Sequence, residues 1–217
     1  MEVSLPVVLI VASGNTEYEA LPLLLRDSLN DIGRRVDVRF PPNHRRLDAP
    51  MAARLVKAGY WSLYPRPPKA VVLVDCDSVA PLEVAAQMRE GVVPLLTDLT
   101  TRGLQVLVAV AKWHLEAWFF GDPDRLRATI GRDLGHIVLA DPDSIDNPKQ
   151  HLINLLGTTN RIYSARVAAE IARSVEPSVV AGASSSFAAF ETAVRNGAHQ
   201  SRRWRQATFL EPTISNP

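Results

Sequence analysis

The stretch Val71-Val72-Leu73-Val74-Asp75-Cys76-Asp77-Ser78 sets two carboxylates at i and i+2 directly behind an apolar run. In extended backbone such side chains point the same way, so oxygens of Asp75 and Asp77 can face one cation. Hard divalent ions such as Mg²⁺ are held in this manner, by one or two carboxylates completed by water and substrate phosphate. The same aspartates could instead cap the loop and helix that follow. Cys76, between two negative charges, has its thiolate disfavoured and is a poor candidate for a nucleophile.

A second group lies at Val11-Ala12-Ser13-Gly14-Asn15-Thr16-Glu17. Gly14 permits a tight turn there, and the helix beginning beyond it could receive a phosphate at its N-terminus. No Gly-Lys-Ser/Thr follows, so this is not a Walker loop, and the three glycines of the dinucleotide fingerprint are missing. Glu17 and Glu19 could equally be first-turn carboxylates answering the helix dipole. A third group is Lys112-Trp113-His114-Leu115-Glu116. If extended backbone continues through it, Lys112, His114 and Glu116 share one face, which is either a rim of solvated polar residues or a base, an imidazole and a carboxylate in line. An acidic group on a second segment favours the latter, since two-metal phosphoryl chemistry needs carboxylates converging from different parts of the chain.

The remaining candidates are more isolated. Asp141-Pro142-Asp143-Ser144 to Pro148-Lys149 reads as a turn and then a helix with Pro148 at its first position, leaving Lys149 able to touch a phosphate. Arg202-Arg203-Trp204-Arg205 could contact a nucleic-acid strand or be a solvated helix face. The serines at 184–186 have no visible base or elbow, which argues against a serine hydrolase. His44 and His199 have no metal-ligand spacing.

Four apolar runs of strand length, at 5–11, 36–40, 70–74 and 105–111, can position these groups. Three are nearly continuous in Val, Ile, Leu and Ala, the pattern of strands covered on both faces. Helical spacing at 19–29, 50–58 and 81–99 alternates with them, the last broken near Gly91 to Pro94, so the pattern predicts a parallel sheet of about four strands with right-handed crossovers. Thr16 and Glu19 fit a capping box for the first helix, although Pro22 then falls inside it. Beyond Ala111, segments 116–120, 124–129, 149–156, 162–174 and 186–195 read as helices. The organisation expected is an α/β core over 1–121, a helical region over 122–210 packed on it, and a flexible tail over 211–217.

The 217 residues carry 24 Lys plus Arg against 23 Asp plus Glu, a net charge of +1, so no global field drives the chain onto nucleic acid or anionic lipid. With 47% hydrophobic and 22% charged residues the composition is that of a globular protein. One cysteine excludes an internal disulfide. The opening apolar stretch lacks a basic leader, and no run approaches the ~18 apolar residues of a membrane span. A cytoplasmic protein without membrane contact is expected.

The order of these pieces resembles a family of Toprim-like proteins of unknown function, encoded beside ABC/SMC-type ATPases and associated with defence against foreign DNA. The matching residues are Gly14, Thr16 and Glu17 after the first strand; Val74-Asp75-Cys76-Asp77; His114-Leu115-Glu116-Ala117-Trp118-Phe119; Asp143-Ser144-Ile145 with Pro148-Lys149 and Leu152; Tyr163 with Arg166; and Ser186-Phe187 with Phe190. The resemblance implies a Toprim fold, in which a glutamate after the first strand and an Asp-x-Asp after a later one bind Mg²⁺ (or Mn²⁺) for cutting or rejoining DNA or RNA. In that pattern the glutamate stands just before the glycine; here Ser13 does, and Glu17 is the nearest carboxylate. The resemblance thus implies a Mg²⁺-dependent phosphodiester hydrolase with an ATPase partner. Asp75, Asp77, Glu17 and Glu116 would surround the metal, Glu17 or Glu116 would orient water, and Lys149 or Lys112 would offset phosphate charge. The alternative is a degenerate module that binds an ATPase or a nucleic acid without cleavage.

Overall fold

The computed structural model describes residues 5–76, 80–131 and 141–196. Asp77, His199 and the Arg202 to Arg205 segment lie outside the described residues, as does the expected tail over 211–217. The four apolar runs form β1 (Val7–Val11), β2 (Arg35–Arg39), β3 (Lys69–Cys76) and β4 (Gln105–Lys112). They pair as one parallel sheet in the order β2-β1-β3-β4. The expected fold class, a parallel four-stranded α/β sheet flanked by helices with a helical C-terminal part, is what the chain forms. Strand β3 outlasts its apolar run because Asp75 and Cys76 still pair, with Ala111 and Lys112.

Both sheet faces are covered, which is why the strands read as unbroken apolar runs. One face (Val8, Ile10, Val71, Leu73, Ala109, Ala111) packs on α1 (Asn15–Leu24), on α2 (Arg26–Asp31) and on the C-terminal helices. The other (Val7, Leu9, Val11, Ala70, Val72, Val74) packs on α3 (Ala49–Ser62), α4 (Pro81–Val92) and α5 (Thr97–Thr100). A 3-10 turn at Val93–Leu96 separates α4 from α5, at the break read near Pro94. Asp48 starts α3 by accepting from the Met51 amide at 2.8 Å, ahead of a proline in the first turn.

The first helix departs from expectation. It begins at Asn15, with Gly14 as N-cap and no side-chain cap, so Thr16 sits inside the helix and the capping box with Glu19 does not form. Pro22 lies within α1, and the helix gives way at Leu25 to the separate α2, where a single helix over 19–29 was expected. Gly14 has extended backbone (φ −166°, ψ −167°), not a turn that demands glycine.

After β4 come α6 (Glu116–Phe119), α7 (Pro123–Ile130), α8 (Pro148–Gly157), α9 (Ala165–Ser174), α10 (Pro177–Ala183) and α11 (Ser185–Arg195). Their apolar residues join the same buried cluster as the first sheet face, with Trp118 stacked on Phe190 at 5.4 Å and edge-on to Phe187. Arg26 ties the junction of α1 and α2 to the end of α9 through the carbonyls of Ala172 (3.1 Å) and Val175 (2.8 Å). Among the described residues no helix is long and apolar enough to cross a membrane.

Candidate functional site

The chain leaves β1 toward β2 by helices on one face and returns from β2 to β3 by α3 on the other, so the connections diverge between β1 and β3. In open parallel sheets, ligands bind outside the carboxyl ends of the strands at this point. Ser13 follows β1, and Asp75 is the penultimate residue of β3.

Here Ser13 Oγ lies 2.7 Å from Glu17 Oε1 and 2.8 Å from Asp75 Oδ2. Glu17 is on the first turn of α1 and is 7% exposed, whereas Glu19 faces solvent as a dipole-facing surface carboxylate would. A serine hydroxyl carries one proton, so it donates to only one of its two carboxylate neighbours. Two carboxylates brought this close fit a divalent ion, which accepts one or two carboxylates and fills its other positions with water or phosphate. Among the described residues no group of three His, Cys, Asp or Glu side chains is arranged to hold a metal, and Asp77, the further ligand expected, lies outside them.

A second group approaches from the C-terminal helices. Glu116, 3% exposed, accepts a 2.6 Å hydrogen bond from the Tyr163 phenol, and Lys149 Nζ stands 3.9 Å from the same carboxylate oxygen and 5.9 Å from the Tyr163 ring. Burial, and then the charge of Glu116 and the bond to it, push the Tyr163 phenol well above the usual tyrosine range. It therefore remains a proton donor. The Thr16 side chain and the Glu17 charge also act on the phenol, so Tyr163 lies between the Glu116 group and the start of α1.

The in-line face of Lys112, His114 and Glu116 does not form. Strand β4 ends at Lys112, Trp113 takes a left-handed backbone (φ 68°) with its amide donating to the Cys76 carbonyl at 2.9 Å, and Glu116 opens α6. That turn swings Glu116 away from the strand direction and into contact with Tyr163 and Lys149 on the α8 side. Lys149 sits at the start of α8, whose first position is Pro148 as expected. Cys76 is buried at 1% exposure, in keeping with an inert thiol.

Two features had no distinct signature in the sequence. Ser13 stands out only as a departure from a motif, and its bridging position depends on β1 and β3 being neighbours. Asp143, 1% exposed, accepts from Ser184 Oγ (2.8 Å), Ser185 Oγ (3.0 Å), Ser186 Oγ (2.7 Å) and the Ser186 amide (2.8 Å), so these serines dock a loop onto the start of α11. No protein-family model matches the chain, and no curated protein matches it.

Proposed function

We propose that this protein is a Mg²⁺- or Mn²⁺-dependent phosphodiester hydrolase of Toprim type acting on DNA or RNA. The observation that carries the reading is the convergence of Glu17 and Asp75 on one hydroxyl at the divergence point of the sheet. Glu17, Asp75 and Asp77 would hold the ion, which when bound would supply Lewis-acid stabilisation of the phosphoryl oxygens. The first turn of α1 has no side-chain cap, so its amides are open to a phosphate oxygen. Glu116 is aligned by Tyr163 and orients the attacking water; Lys149 offsets charge on the phosphate. The phenol stays protonated throughout, holding Glu116 in place without competing for the substrate's proton.

A cytoplasmic location, an ABC/SMC-type ATPase partner and a role in genome defence complete the proposal and rest on the sequence reading. One observation favours the second reading, a degenerate module that binds without cutting: the Ser13 hydroxyl stands between Glu17 and Asp75, where the Toprim pattern would bring a further carboxylate. The two separate on incubation of purified protein with plasmid and single-stranded RNA in Mg²⁺ or Mn²⁺, with and without the ATPase. Cleavage lost in Asp75→Ala and Asp77→Ala supports the hydrolase. Intact substrate under every condition, with binding retained, establishes the degenerate module.

A further inference from the structure

At the opposite end of the sheet Arg35, Lys69 and Gln105 open β2, β3 and β4, Lys69 paired with Gln105 and Arg35 one residue step further out beside Val7, and the last turn of α3 comes down beside them. Trp61, half exposed, is flanked by two guanidinium groups, Arg66 at 5.0 Å and Arg102 at 5.6 Å from its ring centre. Arg66 is also 5.8 Å from the Tyr60 ring and donates to the carbonyls of Tyr60 (2.8 Å) and Leu63 (3.2 Å), which fixes its plane. Arg35 reaches the Tyr64 carbonyl at 3.4 Å, and the Tyr64 side chain is 84% exposed. Arg35, Arg66 and Arg102 are themselves exposed and have no carboxylate partner among the described residues. The acidic residues of neighbouring elements are occupied, Asp37 by Arg39 and Asp98 by Lys57 at 3.2 Å. On a chain of net charge +1 this is a local concentration of positive charge.

We propose that this end of the molecule, built on Arg35, Trp61, Tyr64, Arg66 and Arg102, binds single-stranded nucleic acid, with guanidinium groups on the phosphates and planar groups against the bases. The residue types decide the ligand. These cations are arginines, whose planar guanidinium both stacks and forks onto phosphate, and they alternate with aromatic rings, as in sequence-tolerant single-strand binders. An anionic lipid surface would ask for apolar side chains to insert, and an acidic peptide would need no exposed aromatic surface. The surface shares its ligand class with the proposed hydrolase but not its residues, so it holds a strand on the face away from the carboxylates.

The test uses full-length protein carrying Asp75→Asn, in EDTA, with fluorescently labelled oligo(dT) and oligo(U) of about 20 nucleotides, long enough for a single-strand site. Because Arg66 also caps α3, the pair Arg35→Glu with Arg102→Glu is the cleaner disruption, with Arg35→Lys and Arg102→Lys as control. The expected result is binding weakened at least roughly tenfold in the Glu pair, with the log-log salt slope shallower by about 1.4, or ~0.7 per lost phosphate contact. The Lys pair should keep most of the affinity. Unchanged affinity and slope in the Glu pair would overturn the proposal, as would equal or tighter binding of polyglutamate or phosphatidylserine vesicles to the same residues. Hydrolysis of a small chromogenic phosphodiester by protein with native Asp75 reports on the carboxylates alone, so failure of the proposed activity is distinguishable from failure of this surface.

Discussion

Helix α11 and the crevice between β1 and β3 both bury charge, and they treat it in opposite ways. At the start of α11, Asp143 accepts four hydrogen bonds; at its end, the buried Lys69 ammonium donates to the carbonyls of Ala193 and Val194, each at 2.9 Å, and of Asn196. A carboxylate at the N-terminus and a cation at the C-terminus also answer the helix dipole. In the crevice Glu17 and Asp75 share one hydroxyl proton. The Asp143 and Lys69 charges anchor the fold through several hydrogen bonds each, whereas Glu17 and Asp75 converge from different segments at the divergence point of the sheet, where open parallel sheets bind ligands.

The largest expected effect is on the saturated side. Asp143→Ala strands buried donors and should cost about 3 kcal/mol or more in urea denaturation. The mirror experiment is Asp75→Asn, which keeps the shape and removes the repulsion between two neighbouring carboxylates. Metal-dependent cleavage should fall at least roughly 100-fold, about 2.7 kcal/mol, while the urea midpoint stays or rises. A large stability loss in Asp75→Asn would erase the distinction between the two regions. Tyr163→Phe, which removes the donor to Glu116, should cost about 1 kcal/mol of stability and reduce cleavage less than Asp75→Asn does.

A pH dependence accompanies these effects. Burial, and secondarily the nearby Arg34, push the Lys69 ammonium down to about 8 from the ordinary 10.5. Between those values the unfolded chain holds a proton that the folded chain has shed, so stability should rise with pH across this window, and Lys69→Met should flatten the rise. Above the ordinary tyrosine value of 10.0 the raised Tyr163 acts the other way, because the unfolded chain loses a proton that the folded chain keeps.

The sheet was legible because the two covered faces leave continuous apolar runs, and Asp75 and Glu17 were legible because they follow such runs directly. The groups that depend on contacts between distant segments were not. Lys112, His114 and Glu116 were read in line because nothing local announces the left-handed Trp113. The serines at 184–186 looked idle because their partner, Asp143, lies more than forty residues away. Lys69 carries no local signal, because its acceptors come from the end of α11, more than a hundred residues further on. Thr16 and Glu19 satisfied a local capping pattern that the turn after β1 overrides by starting α1 at Asn15.

Mn²⁺ titration followed by electron paramagnetic resonance tests most directly the claim that Glu17 and Asp75 form a cation site. The account predicts stoichiometric binding to the native protein, strongly weakened in both Glu17→Gln and Asp75→Asn and retained in Arg35→Glu with Arg102→Glu. Equal Mn²⁺ binding by the native protein and the two carboxylate variants would contradict it.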